Sequence, residues 1–249
     1  IHSLKANFYL AQSYYADNQP NNAIPNYEFV ASKARNEFTE QSLVRLAEIY
    51  MKKSDDAKAI TTLKRLETEA DFPQNVTFAQ SNLMKTYYEQ KEYPNAVVYA
   101  DKVLANPKMD DKVKSDAQII VARSAMNSGD ETKAKAAYAK LQSIAKGELA
   151  AEALFYDAYF KNKEGKYEAS NTSIQKLTKD YSGYKYFGAK GLVVMAKNFY
   201  ALKDSFQATY ILDSVIKNFA NFTDVVDEAQ YQLDMIKGEE SKTNSSIQK

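Results

Sequence analysis

Two small residues, twelve positions apart, recur along this chain at a nearly constant interval. The first residue of each set follows the previous one by 36 to 38 positions, and ten of the twelve positions hold alanine. The first residues are Ala11, Ala47, Met84, Ala122, Ala158 and Ala196, and their partners are Ala23, Ala59, Ala96, Ala134, Ser170 and Ala208. Such a period is typical of a chain built from stacked copies of one supersecondary unit.

Apolar residues accompany the small ones at helical spacing, so each copy is predicted to be two helices joined by a short turn. Turn signals such as Gly129 and Gly165 separate the two helices. The side chain seven positions after the second small residue is aliphatic in every copy: Val30, Leu66, Val103, Leu141, Leu177 and Val215. A single pair cannot cover its own apolar faces, whereas stacked pairs can. The predicted pairs span about residues 3-35, 40-71, 77-107, 112-146, 149-181 and 189-219.

The segment after the sixth pair has a single apolar stripe formed by Val225, Ala229, Leu233 and Ile236. Such a stripe is typical of a terminal helix that caps a stack, which we place at residues 223-237. Residues 238-249 are polar and are predicted to be a disordered tail.

Two features interrupt the regular pattern. Pro25 lies within the first two turns of a predicted helix and should kink it. In the fifth pair Asp157 occupies a normally apolar position, and Ala169 is an alternative to Ser170 as the small partner.

The segment Gly165-Lys-Tyr-Glu-Ala-Ser170, with Tyr181 after it and with Ala158 and Ala196 in first helices, resembles the tetratricopeptide repeat (TPR) family. That family has a period of about 34 residues. The resemblance covers about residues 3 to 222, although the periods are longer here and the family's tryptophan is absent. It implies an all-α, right-handed superhelical solenoid of six helix pairs plus the capping helix. It also implies a scaffold that binds a protein or peptide partner in a concave groove.

Two further segments, Leu202-Lys-Asp-Ser-Phe-Gln-Ala208 and Lys179-Asp-Tyr181, resemble TPR proteins of the Gram-negative cell envelope. These include the lipoprotein of the outer-membrane barrel-assembly machinery. The resemblance implies a periplasmic or outer-membrane-associated location. Because the chain begins at Ile1, just before an apolar periodic segment, we expect a fragment of a larger envelope protein, with any lipid anchor outside the fragment.

Residue types that catalysis or metal binding requires are scarce. The one histidine, His2, stands near the chain start, cysteine is absent, and the seven glycines are scattered singly. The 33 basic and 32 acidic residues give a net charge of +1, which argues against nucleic-acid binding. No apolar run approaches the roughly 20 residues that cross a bilayer. We therefore expect no enzymatic activity, no cofactor and no metal site.

In the family that the chain resembles, the first helix of each pair lines the groove. The residues that this register places there are mostly aromatic, methionine or charged, which suits a peptide partner. They are Phe8, Gln12, Tyr15, Glu48, Met51, Lys85, Tyr88, Arg123, Met126, Phe155, Tyr159, Lys197 and Tyr200. Packing within the solenoid is an equally good interpretation of the aromatic members. A second candidate function is glycan or cell-wall binding on the tyrosines. A third, an all-helical carbohydrate-active enzyme, is disfavoured because the chain lacks tryptophan.

Overall fold

The computed structural model describes residues 2–247, and every regular element in that range is an α-helix. Two successive helices correspond to each predicted pair, and one further helix follows, which confirms the predicted all-α fold of helix pairs. The helices are α1 (His2–Ala16), α2 (Pro20–Ser32), α3 (Thr39–Lys52), α4 (Asp56–Glu69), α5 (Pro73–Glu89), α6 (Tyr93–Ala105), α7 (Asp111–Asn127), α8 (Glu131–Leu141), α9 (Gly147–Lys163), α10 (Tyr167–Asp180), α11 (Lys185–Ala201), α12 (Ser205–Asn218) and α13 (Thr223–Ile247).

The recurring small residues are the most deeply buried side chains of the fold. All twelve, from Ala11 to Ala208, are 0% exposed, and so are the six aliphatic residues that follow the second member of each set. Small side chains let two helix backbones approach closely, and the aliphatic neighbours fill the space beside them. The repeat therefore marks core positions in each pair.

A residue with a left-handed backbone ends the first helix of every pair, seven positions after the first small residue. The φ angles lie between 56° and 77°. At two of these turns, the Asp55 amide donates to the Tyr50 carbonyl at 2.9 Å, and the Glu92 amide donates to Tyr87 at 2.9 Å. This is the Schellman arrangement, which satisfies carbonyls at a helix end. The six residues are Asn18, Ser54, Lys91, Gly129, Gly165 and Lys203.

Aspartates and prolines begin several of the second helices. The Asp55 carboxylate accepts a hydrogen bond from the Lys58 amide at 3.3 Å, and Asp204 accepts one from Gln207 at 3.0 Å. These bonds satisfy amides that have no partner inside the helix. Pro25 lies inside α2, and the helix continues through it to Ser32.

Ser170 is the small partner in the fifth pair, whereas Ala169 is exposed. The Ser170 hydroxyl donates to the carbonyl of Ala158 at 2.8 Å and accepts from the Asn198 amide at 2.8 Å. A serine therefore replaces alanine here because its hydroxyl has partners on both neighbouring helices.

Asn198, which is 0% exposed, connects three helices through its amide. Its nitrogen also donates to the Asn171 side-chain oxygen at 2.7 Å, and its oxygen accepts from Asn162 at 2.7 Å. These bonds join α9, α10 and α11. Buried amides with all partners present stabilise one arrangement of the helices over others.

Asp157 tolerates its normally apolar position because donors surround it. Its carboxylate accepts hydrogen bonds from Lys161 at 2.6 Å and from Ser173 at 2.5 Å. Burial alone would raise the pKa of Asp157, but these donors lower the pKa below its usual value.

The last helix is longer than the sequence pattern predicts. α13 runs to Ile247, past the predicted end at 237, so the residues predicted as a disordered tail are helical as far as Ile247. Gly238, a weak helix former, directly follows the apolar stripe, but α13 continues through it. The Ser241 hydroxyl donates a hydrogen bond to the Gly238 carbonyl at 2.9 Å. No proline stops the helix. Residues 248 and 249 lie outside the described part of the chain.

The chain divides into two compact units, one up to Ala134 and one from Lys135, with the boundary inside α8. In the first unit each helix from α1 to α7 contacts the next. In the second, one core cluster contains Phe155 and Ile174, and another contains Leu212 and Leu233. The repeat pattern does not predict this division.

Candidate partner-binding face

The side of each unit formed by its first helices carries the predicted binding residues. We call it the first-helix face: α1, α3, α5 and α7 in the first unit, and α9, α11 and α13 in the second. Helix α5 contacts α7, α9 contacts α11, and α11 contacts α13. Side chains on this face can therefore bridge neighbouring pairs.

Tyr15 and Glu48 meet on the first unit's face. The Tyr15 hydroxyl donates to a Glu48 carboxylate oxygen at 3.0 Å, and Arg45 donates to the same oxygen at 2.8 Å. The Arg45 guanidinium also lies 4.7 Å from the centre of the Tyr15 ring. Burial and the Glu48 charge raise the pKa of Tyr15, so the phenol stays protonated and continues to donate. Glu48 is thus already paired inside the protein.

A pocket opens beside this cluster. It has a volume of about 240 Å³ and lies between the ends of α1 and α3 and the start of α2. Its walls include Tyr15 and Glu48, and Lys52 adds a positive charge. Predicted groove residues therefore form part of a real concavity.

A second, larger concavity of about 440 Å³ lies elsewhere in the first unit, between α2, α3 and α4. Tyr50 forms part of its wall and donates to Glu28 at 2.5 Å, while Arg65 donates to the Ala31 carbonyl at 2.7 Å. None of the predicted groove residues lines this pocket, so it is separate from the 240 Å³ pocket beside Tyr15.

The other predicted residues of the first unit differ in exposure. Lys85 pairs with Asp116 at 3.3 Å, and the Tyr88 ring lies 6.1 Å from that of Tyr93. Gln12, Met51, Tyr88, Arg123 and Met126 are half-buried, so part of each side chain faces solvent.

Phe8 and Phe155 are core residues, contrary to their predicted place in the groove. Phe8 is 4% exposed and stacks on Phe38 with ring centres 4.7 Å apart. Phe155 is 5% exposed, and its ring centre lies 6.1 Å from that of Phe187. Both rings fill space between helices, so for them the packing interpretation applies.

Polar pairs also bridge the first helices of the second unit. Lys197 donates to Glu228 at 2.5 Å, and the Tyr200 hydroxyl donates to Glu239. Tyr186 donates to Asp224 at 2.8 Å, and burial together with this carboxylate raises the pKa of Tyr186 to about 12. The positive charge of Lys197, which was predicted to contact a partner, therefore also holds α11 against α13.

Aromatic rings and lysines form a second feature of this face. The ring centres of Tyr156 and Tyr159 are 6.1 Å apart, and the Lys163 ammonium lies 5.4 Å from the Tyr159 ring centre. Lys190 lies 5.0 Å from the Phe155 ring and 5.3 Å from a second ring, that of Tyr186. Both distances suit cation–π attraction. Tyr156 and Lys190 are not among the residues predicted from the sequence, although the repeat register places Lys190 six positions before Ala196, on the same helix.

Within the described residues, no helix is long and apolar enough to cross a membrane. No group of three or more histidine, aspartate or glutamate side chains there is arranged to hold a metal ion.

Comparisons with known proteins agree with the helix-pair architecture. Residues 41–70 match the family model described as tetratricopeptide repeat. No curated protein matches the sequence. The chain therefore contains a TPR-type repeat, as its resemblance to that family implied.

Two solved structures have a similar fold. One is a tetratricopeptide repeat protein from Parabacteroides merdae, with 14% identity, a TM-score of 0.52, and coverage of 92% of this chain and 100% of that one. The other is a Rap protein complexed with competence and sporulation factor, with 13% identity, a TM-score of 0.53, and coverage of 99% and 72%. At these identities the likeness shows the fold.

Proposed function

For a chain with the fold of TPR proteins, we propose a non-enzymatic scaffold that binds a protein partner on its first-helix face. The observation that carries this proposal is the 240 Å³ pocket beside Tyr15 and Glu48, where predicted groove residues meet a concavity. The similar Rap protein was solved with a bound factor, which supports partner binding by this type of fold.

The partner we propose is an extended or helical peptide segment. Half-buried Met51 and Tyr88 offer adaptable apolar surface, and Lys52 offers an orienting charge at the pocket. Because Glu48 is already bonded to Tyr15 and Arg45, we expect it to position the pocket wall rather than to recognise the partner.

The test starts from peptides selected against the whole chain from a random library, with affinities measured by fluorescence polarisation. We expect the double substitution Met51→Ala and Lys52→Glu to weaken binding by about tenfold or more, which corresponds to about 1.4 kcal/mol. The matched control, Met235→Ala with Lys176→Glu, changes the same residue types outside this pocket and should leave affinity unchanged. Equal affinities for both double variants would rule out the proposed face.

Glycan binding remains a second candidate because Tyr159 presents a half-buried ring beside Lys163. Titration with soluble peptidoglycan fragments separates the two functions. Saturable binding that is lost in Tyr88→Ala and Tyr159→Ala would favour the glycan function over a protein partner.

We further propose that the chain is part of a larger protein of the Gram-negative envelope, in the periplasm or at the outer membrane. The segment Leu202–Ala208 supports this location through its resemblance to envelope TPR proteins. Fractionation of cells that express the tagged full-length protein tests it, and recovery in the cytoplasmic fraction would contradict it.

A further inference from the structure

Two aromatic rings project into solvent from α12, on the side opposite to its core contacts. Phe206 is 77% exposed and Tyr210 is 65% exposed. The core side of the same helix, formed by Ala208, Leu212 and Val215, is 0% exposed. Since 3.6 residues make one helical turn, Phe206 and Tyr210 lie above one another on the outer side.

The other five pairs provide an internal comparison for these two positions. Phe206 and Tyr210 stand two positions before and two positions after the small residue of the second helix. The fold is built five times without an aromatic residue at either position, so packing does not require one here. Exposed aromatic pairs of this kind are typical of interaction surfaces. The equivalent residues are Asn21 and Pro25, Ala57 and Thr61, Pro94 and Val98, Thr132 and Ala136, and Glu168 and Thr172.

Two charged residues, Asp213 and Lys217, continue the same side of the helix. Neither forms an ion pair with any described residue. Phe206, Tyr210, Asp213 and Lys217 form one stripe along the outer side of α12. Phe206 and Lys217 lie equally far from the middle of this stripe, and so do Tyr210 and Asp213. At 1.5 Å rise per residue, the outer two are about 16 Å apart along the axis and the inner two about 4.5 Å.

We propose that this face of α12 binds a second copy of the chain, with the two α12 helices antiparallel about a twofold axis through the middle of the stripe. In that arrangement Phe206 meets Lys217 of the second copy, and Tyr210 meets its Asp213. A lysine over a phenylalanine ring is a cation–π contact. A phenol beside a carboxylate forms a charge-assisted hydrogen bond.

A second copy fits this stripe because the stripe complements itself. In a twofold interface, if one residue contacts another, the reverse contact also forms, so each of the two contacts occurs twice. The two charges on the stripe cancel, which gives no electrostatic preference for a strongly acidic or strongly basic partner. The stripe belongs to the outer side of a second helix, so this interface leaves the first-helix face of the proposed function available.

Sedimentation equilibrium over a range of protein concentrations tests the proposal. We expect the average mass to rise toward that of a dimer, and Phe206→Ala with Tyr210→Ala to raise the dissociation constant about tenfold or more. Circular dichroism checks that the double variant is folded. The matched control, Val98→Ala, removes an exposed side chain at the position equivalent to Tyr210 and should leave the dissociation constant unchanged.

Because the natural chain has no cysteine, disulfide formation can report the orientation of the helices. A mixture of Phe206→Cys and Lys217→Cys chains should cross-link between the two variants, while neither variant alone should cross-link. The mixed dimer keeps one intact contact between Phe206 and Lys217. A chain that stays monomeric at all concentrations, a dimer unaffected by the alanine substitutions, or cross-linking of the Phe206→Cys variant with itself would each overturn the proposal.

Discussion

Backbone conformation at single residues accounts for the sharp turns inside the pairs. Gly129 and Gly165 adopt left-handed φ angles at no steric cost, because glycine has no Cβ. The same conformation strains the side chains at Ser54, Lys91 and Lys203. This conformation costs an L-residue about 1–2 kcal/mol. Residue type alone identifies the glycine turns, while the others become recognisable only by their distance from the small residues.

Replacing the strained lysine should therefore stabilise the protein. We expect Lys203→Gly to raise the free energy of unfolding by about 0.5–1 kcal/mol, because glycine removes the strain and exposed Lys203 has no ion pair among the described residues. The reciprocal change, Gly165→Ala, should lower the free energy of unfolding by about 1 kcal/mol, since a Cβ there meets open space and only the backbone is affected. Urea unfolding measures both, and a loss of stability in Lys203→Gly would contradict this account of the turn.

At the scale of elements, α11 shows how closely neighbouring helices approach. A Cβ added to Gly191 would lie 3.2 Å from Ile174 and 3.3 Å from Leu177, both of which are 0% exposed on α10. A Cβ added to Gly188 on the same helix would meet nothing within 4 Å. Gly191 therefore permits tight packing of α11 against α10.

The two glycines should respond differently to the same substitution. We expect Gly188→Ala to stabilise the protein by about 0.5–1 kcal/mol through helix propensity. We expect Gly191→Ala to destabilise it by about 1–3 kcal/mol through overpacking against Ile174 and Leu177. Thermal unfolding of the two variants gives the comparison. Equal gains in both would show that α10 can move away from α11.

At the scale of the whole molecule, the core is a series of clusters between neighbouring helices. Leu63 is fully buried in the first unit, and Leu212 is fully buried in a cluster of the second unit that does not include Leu63. In such a solenoid each repeat is stabilised by its own residues and by its nearest neighbours. A defect should therefore act locally.

Hydrogen exchange can show how far a defect spreads. We expect Leu63→Ala to speed amide exchange in α3 to α5 and to leave α11 to α13 unchanged, because opening follows local contacts. Leu212→Ala should produce the reverse pattern, which makes each variant the control for the other. Faster exchange along the entire chain in either variant would mean that the molecule opens as one cooperative unit.

The sequence by itself determined the number of helix pairs and the residues at their crossings. Such positions can be read from the chain because each pair packs within itself and against adjacent pairs, so Ala158 and Leu177 follow the same rule as Ala47 and Leu66. Two of the predicted groove residues, Tyr15 and Glu48, line a pocket, and the binding of a partner there stays a prediction.

Only the tertiary structure decided which of those side chains are already engaged. Glu48 bonds to Tyr15, Lys85 to Asp116, and Lys197 to Glu228, in each case across neighbouring first helices. The partners stand more than 30 positions apart in the chain, and their meeting depends on how far one helix slides and rotates against the next. Phe8 and Phe155 are buried for the same reason, because rings from other elements cover them. A repeat pattern specifies which helices are neighbours, but the contacts between their side chains depend on the packing of each crossing.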